Sequence, residues 1–290
     1  MNHKSKLLHD LIHAPELLVM PGAYDALSAK LIEQAGFSAC QISGFGVAAS
    51  RFGLPDIGIL SLRDQVNLTE WITQAVNIPV MADGDTGYGN AVNVYYTVLQ
   101  LEHVGAAGVN LEDQIYPKRC GHMNGKQIIP QEEMIKKIKA ANKAKKDPYF
   151  VINARTDAIA VYGVEEAVIR GNAYAKAGAT LIFVEAPRTR EEIEYVIKNI
   201  DAPVSINMLG TSGGKTPILT LKELEDMGVA RVSLPIVTIC SAAKQIQDSL
   251  NFLKTHGSLS GYEKKLMSFD EITQVVGLPF TQKLEEEISA

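Results

Sequence analysis

Apolar runs and amphipathic stretches alternate along the whole chain. The apolar runs are short and continuous: LLVMPGA near the start, then ACQIS, IPVMADGD, AGVNLED, YFVINARTD, TLIFVEA, APVSIN and ARVSLPI. Continuous hydrophobicity, rather than strict alternation, marks strands covered on both faces, as in parallel sheets. Between them lie helix-length amphipathic stretches at 25–35, 64–76, 91–104, 131–145, 164–177, 189–199, 221–227 and 239–254. Gly36, Gly105, Gly178 and Gly228 each fall where a helix-like stretch gives way to a strand. That is the left-handed position glycine fills after a helix's last turn.

Eight such units in 290 residues predict an α/β chain folded as a (β/α)8 TIM-type barrel. A doubly wound open sheet is the alternative, but no GxGxxG follows the first strand. Residues 1–257 form the expected catalytic barrel. Residues 258–290, with their KKL and KLEEE patterns, are expected to add one or two helices at the surface or at a subunit contact.

Composition narrows the function classes. With 46% hydrophobic and 21% charged residues the chain has the make-up of an ordinary globular protein, and a net charge of -5 argues against a nucleic-acid partner. The basic run Lys136, Lys137, Lys139, Lys143, Lys145 and Lys146 has helical spacing and reads as a solvated helix face. Three scattered cysteines make no disulfide framework, and neither a signal peptide nor a membrane-spanning run is visible, so a cytoplasmic location and no membrane partner are expected.

In a barrel of this kind, functional residues sit at the C-terminal ends of the strands. Here those ends read Ser43-Gly44-Phe45-Gly46, Asp83-Gly84-Asp85, Glu112-Asp113, Arg155-Thr156-Asp157, Glu185 and Asn207. Asp and Asn also serve as turn and cap residues after strands, but their joint placement points to a site. Asp83, Asp85 and Glu112 would gather three hard oxygen ligands with no His or Cys at matching spacing, which suits Mg²⁺ or Mn²⁺ rather than Zn²⁺. Ser43-Gly44-Phe45 is either a backbone nest for a carboxylate or a plain turn. The glycines of DGDTGYGN lack the lysine and spacing of a phosphate loop and are read as allowing close packing around the acidic cluster.

Leu111–His122, LEDQIYPKRCGH, places a carboxylate pair, a Lys-Arg pair, a cysteine and a histidine on one stretch broken by Pro117 and Gly121. Cys120, between Arg119 and His122, stands in a cationic setting that favours thiolate, so it reads as a proton carrier or nucleophile. Cys40 and Cys240, in apolar segments, read as inert buried thiols.

DGDTGYGN, EDQ-x-x-PKRCGH-x-x-GK, NARTDA and NMLGTSGGKTP together resemble the isocitrate lyase and phosphoenolpyruvate mutase superfamily, over nearly the whole chain. PKRCGH is the most specific part and is similar to the catalytic gating loop of its carbon–carbon lyases; the phosphonate mutase branch lacks the cysteine. The resemblance implies Mg²⁺ near Asp83, Asp85 and Glu112, the ion contacting some of these through water, and a 2-keto acid moiety held by Ser43, Gly44, Phe45, Asp56 and Arg155, the last able to hold a carboxylate bidentately. It implies Cys120 as general acid, Lys118, Arg119 and His122 closing over the site, Glu185 and Asn207 lining it, and a homotetramer that exchanges its last helices.

Within the superfamily, isocitrate lyase is usually longer, and methylisocitrate lyase resembles SerGlyGlyGly after the second strand where Phe45 stands here. GGKTP at 213–217 resembles the branch containing 2,3-dimethylmalate lyase, oxaloacetate hydrolase and carboxyphosphonoenolpyruvate mutase. Oxaloacetate hydrolases carry a serine near the end of the eighth strand, where this chain is read as having Pro235. The expected substrate is a small carboxylate of the 2,3-dimethylmalate type, giving pyruvate and propionate. 2-Methylisocitrate is the alternative, then oxaloacetate hydrolysis or phosphonate transfer. A non-catalytic barrel is disfavoured by the joint presence of the acidic cluster, Cys120 and Arg155.

Overall fold

The eight apolar runs become eight parallel strands that pair in chain order and close on themselves. The computed structural model describes residues 3–289. The strands are β1 (Leu18–Ala23), β2 (Cys40–Ile42), β3 (Val80–Asp83), β4 (Gly108–Glu112), β5 (Val151–Thr156), β6 (Leu181–Val184), β7 (Val204–Asn207) and β8 (Arg231–Leu234). The ring shuts where β1 pairs with β8, Leu18 against Arg231 through Pro21 against Leu234. The helices are α1 (His3–His13), α2 (Ala26–Gln34), α3 (Gly44–Val47), α4 (Leu62–Ala75), α5 (Ala91–His103), α6 (Gln131–Ala144), α7 (Val164–Lys176), α8 (Arg190–Asn199), α9 (Leu221–Asp226), α10 (Val237–His256), α11 (Phe269–Val275) and α12 (Leu278–Ser289).

Local chemistry sets the helix starts. Ser61 and Asp64 form a reciprocal capping box at α4, as do Asn90 and Asn93 at α5 and Thr220 and Glu223 at α9. Each box satisfies backbone N–H groups that the first turn leaves unpaired. The main core lies between strands and helices: Val109, Leu111, Ile152 and Val184 meet Val98, Leu101, Met134, Ile138 and Val196. Burying each such side chain contributes about 1.5–3 kcal/mol, which outweighs the weak helix propensity of the β-branched ones.

One side of α6 departs from the sequence reading. Lys137 is buried, and its ammonium donates to the Thr86 carbonyl at 2.9 Å, so it braces the acidic loop after β3 instead of facing solvent. Lysine alkyl stems bury readily when the head finds an acceptor.

Inside the ring polar side chains stand among apolar ones such as Met20, Met81 and Phe183. Asn153 contacts Asn110 at 2.6 Å, Ser233 donates to Asn207 at 3.0 Å, and Arg231 reaches Ser205 and Gln41.

Two compact units are distinguished, Met1–Val237 and Thr238–Ala290. The sequence places the eighth helix with the barrel and the boundary near residue 257. The structure groups nearly all of α10 with the tail instead, and α10 has no fully buried residue. For the same reason Cys240 is only partly buried, whereas Cys40 is buried and its thiol is pushed up to about 12, chiefly by burial.

Candidate active site

The strand ends deliver their polar side chains to one cavity of about 60 Å³ at the mouth of the barrel, walled by Ser43, Gly44 and Phe45 after β2, Asp83 and Asp85 after β3, Glu112 from β4, and Arg155 from β5. Asn207, Pro235, Asp56, Lys118 and Cys120 complete the part foreseen from sequence. At roughly 15 Å³ per water, the space suits a few waters or a short acid.

The loop after β4 forms the roof. It leaves the barrel at Gln114, turns at the cis Tyr116–Pro117 bond, and returns to pair Gln114 with Ile128. The Gln114 amide spans it, accepting from the Arg119 N–H at 3.0 Å and donating to the Arg119 carbonyl at 2.8 Å. Lys118 points down, its Nζ 2.7 Å from Asp56 Oδ1 and 2.9 Å from Asp85 Oδ1. Burial opposes its charge, but Asp85 and Asp56 outweigh this and hold the ammonium well above its usual range.

Arg119 does the opposite of what the resemblance implies. It is exposed and bonds the Asn124 carbonyl at 3.2 Å. With Arg119 turned out, Cys120 loses its expected cationic partner. Burial pushes the Cys120 thiol up, helped by Asp56 and Glu185, against smaller lowering by the His122 backbone N–H and Arg155. These surroundings favour the thiol over the thiolate.

His122 stands beside the cavity wall, Nε2 3.2 Å from Glu185 Oε1, while Nδ1 accepts from the Lys215 N–H at 2.9 Å. Burial lowers its pKa despite Glu185, which favours the neutral ring. Glu185 is fully buried beneath Gly121, where any β-carbon would collide with Glu185 and Arg155; glycine here lets the roof descend.

The acidic cluster also differs from expectation. Asp83, Asp85 and Glu112 share the cavity but not one point, and among the described residues no three His, Cys, Asp or Glu side chains converge to hold a metal. Asp83 accepts from the Gly44 N–H at 3.2 Å and the Asp85 N–H at 3.1 Å, and Asp85 is engaged by Lys118. A β-carbon on Gly44 would lie 2.5 Å from Asp83 Oδ2, which explains the glycine. The Gly44 N–H expected to cradle a ligand is thus taken up by Asp83, and the Ser43 hydroxyl caps α3 by accepting from the Gly46 N–H.

Arg155 spends its fork internally as well. Nε and Nη2 grip Asp157 at 2.9 and 3.1 Å, so the bidentate carboxylate is Asp157, while Nη1 faces Glu112 at 3.4 Å and Glu185 at 3.7 Å. Burial would raise Asp157, but Arg155 and Lys126 outweigh it and hold the carboxyl far below its usual range. Burial raises Glu112 well above the carboxylate range despite Arg155 and Lys118, and its Oε1 has no hydrogen-bond partner. Asp85 is likewise pushed up to about 6, mainly by burial.

Sequence reading passed over Asn110, Phe183, Leu209 and Ile236, which also line the cavity. Phe183 and Asn110 carried a signal, since both lie on strands already recognised. Lys126, buried against Asp157 and the Gly121 carbonyl, and Lys215, reaching Asn124 at 2.9 Å, brace the roof; both stand in the motifs that carry the resemblance, but no role follows for either from the sequence.

The barrel mouth thus gathers four carboxylates, a half-buried thiol, an inward lysine and an arginine around one cavity, as an enzyme site would. The family model for phosphoenolpyruvate phosphomutase matches residues 8–254. The chain is 40% identical to the 2,3-dimethylmalate lyase of Eubacterium barkeri over 285 residues, 98% of each chain. It is 38% identical to the 2-methylisocitrate lyase of Aeropyrum pernix, over 98% of this chain and 90% of that one. An oxaloacetate acetylhydrolase solved with the inhibitor 3,3-difluorooxalacetate superposes with a TM-score of 0.92 at 32% identity, covering 99% of this chain and 97% of the other. This chain belongs to the phosphoenolpyruvate mutase/isocitrate lyase superfamily. It is an enzyme, and both of these curated relatives are lyases.

Proposed function

We propose that this enzyme is a Mg²⁺-dependent carbon–carbon lyase that cleaves a 2-hydroxy dicarboxylate of the 2,3-dimethylmalate type to pyruvate and propionate. The observation that carries this reading is the half-buried Cys120 thiol on the wall of the same cavity as Arg155 and the carboxylates. Retro-aldol cleavage leaves a carbanion that needs a nearby acid, and a thiol on the cavity wall supplies one.

A divalent cation fits these residues. Asp56, Asp83, Asp85 and Glu112 face only Lys118 and Arg155 around the cavity, and the partnerless Glu112 oxygen marks a deficit of positive charge. Mg²⁺ typically takes one or two carboxylates and fills its shell with water and substrate oxygens, so a three-ligand cage is not required. Asp85 and Glu112, with Asp83 beside them, would hold it; Mn²⁺ suits the same oxygens. Bound there, the ion would lower the pKa of the substrate's C2 hydroxyl.

The chain's own residues do the rest. Arg155 Nη1 orients the C1 carboxylate and Lys118 offsets the carboxylate wall that receives the hydroxyl proton. As the C2–C3 bond breaks, its electron pair stays on C3, which takes the proton from Cys120 Sγ, and the roof keeps bulk water out. The Phe45 ring supplies apolar contact for a methyl group where a third carboxylate arm would need room. Pro235, in the wall next to β8, offers no hydroxyl, which supports cleavage over oxaloacetate hydrolysis. The largely exposed Phe269, Phe280 and Ile288 of the tail support assembly into a homotetramer.

A panel of 2-hydroxy di- and tricarboxylates with Mg²⁺, scored for pyruvate or glyoxylate release, tests the reading. 2,3-Dimethylmalate is expected to give the highest kcat/KM, with chelation abolishing turnover and Mg²⁺ restoring it. A higher kcat/KM for 2-methylisocitrate replaces the assignment with 2-methylisocitrate lyase.

A further inference from the structure

The barrel interior below the cavity holds a cation without a counter-charge. Arg231, the first residue of β8, is fully buried, and its guanidinium meets only neutral groups. Nη2 donates to Gln41 Oε1, Nη1 donates to Ser205 Oγ at 3.0 Å, and Nε lies 3.1 Å from Met20 Sδ. The Asn153 amide stands 3.0 Å from Nη1 and accepts from it when its oxygen is turned that way. The Phe183 ring centre is 5.9 Å from Cζ. Among the described residues no carboxylate pairs with Arg231. Burial lowers its pKa to about 9 with no charged neighbour opposing, which still leaves it cationic at neutral pH.

Burying an unpaired guanidinium is costly, and an apolar side chain of similar length would fill the space with less penalty. The position of the charge supplies the reason. Gln41 and Phe183, which touch Arg231, also line the cavity, so one layer of side chains separates the guanidinium from whatever is bound above. Arg155 lies over the same Phe183 ring, 5.3 Å from its centre. In a low-dielectric interior such a charge acts across that layer.

We propose that Arg231 is a positioning residue whose unpaired charge, acting through Gln41 and Phe183, favours doubly charged carboxylate ligands in the cavity over singly charged ones. This rests on the reading of the cavity as a carboxylate site, but not on which acid is cleaved.

The test compares oxalate with oxamate, planar isosteres that differ by one charge, titrated calorimetrically into the full-length Mg²⁺-loaded protein. Arg231→Met is expected to weaken oxalate about tenfold and oxamate only about threefold, as a field effect scaling with ligand charge requires. Arg231→Lys is expected to keep near-native affinity for both. The Tm of Arg231→Met is expected at or above the native value, because a desolvated charge has been removed. Equal loss for both ligands, unchanged oxalate affinity, or failure of Arg231→Lys to rescue would overturn the role of Arg231. If Arg231→Met does not fold, Arg231→Gln carries the same comparison. Absence of binding of both ligands to the native protein would overturn the carboxylate-site reading and this inference with it, a result distinct from a charge-independent loss.

Discussion

Glu112 and Asp113 are neighbours in sequence and face two different regions of the molecule. Asp113 points behind the barrel, where it accepts from Thr156 Oγ1 at 2.8 Å, the Asp157 N–H at 2.9 Å, Arg170 Nη1 at 3.1 Å and Tyr174 OH at 2.8 Å. Glu112 points into the cavity with a distant arginine on one oxygen and nothing on the other. Both are buried, and burial raises both pKa values, yet only Asp113 is saturated with donors. A carboxylate that holds the fold together is fully bonded; one that serves a ligand is left with capacity to spare.

Replacing each in turn should break this contrast most severely. Asp113→Ala strands Arg170 and three other donors, so a loss of about 3–5 kcal/mol is expected in urea unfolding. Glu112→Gln is expected to leave stability equal or higher while turnover collapses. Similar stability losses for the two would erase the distinction.

Cys120→Ser sharpens the cavity side. A hydroxyl is a far weaker proton donor than a thiol, so kcat should fall about 100-fold, the usual scale of general acid catalysis, with KM little changed. Near-native turnover would reduce Cys120 to a structural loop residue.

The third measurement uses pH. Asp157 is held below its unfolded value, so its contribution to stability is fully present above about pH 4 and disappears as pH falls toward its folded pKa. The stability difference between the native protein and Asp157→Asn should be flat from pH 7 to 5. Below about pH 4 it should shrink by at most about 1.4 kcal/mol per pH unit. A difference that shrinks near pH 6 would assign the effect to another group.

The smallest expected effect is in specificity. Phe45→Gly removes the apolar contact to one methyl group, worth roughly 1 kcal/mol, so the preference for 2,3-dimethylmalate over 2-methylisocitrate should narrow about fivefold. A preference that widens would mean the ring does not exclude the larger acid.

The barrel and the cavity carboxylates were legible because both follow from local patterns. Continuous apolar runs such as YFVINA mark covered strands, and polar residues just after them mark the mouth. What escaped was pairing across long separations. Nothing near Asp113 announces Arg170 and Tyr174, which come from α7 57 and 61 residues later. Lys137 lies in a run of lysines that looks uniformly solvated, and only the path of the loop after β3 gives it a buried acceptor. Arg119 and Cys120 show the limit from the other side, since adjacency in sequence suggested a charge pair, whereas the Arg119 guanidinium turns outward to the Asn124 carbonyl.

The Gln114–Ile128 bridge, the Gln114 amide on Arg119 and Lys126 on the Gly121 carbonyl make the roof a braced ring. Lys118 and Cys120 both lie between these cross-links, so displacing one anchor disturbs the two side chains together. In the proposed reaction the ammonium against the carboxylates and the thiol that serves C3 depend on one scaffold, and a variant that loosens the ring is expected to impair both roles at once.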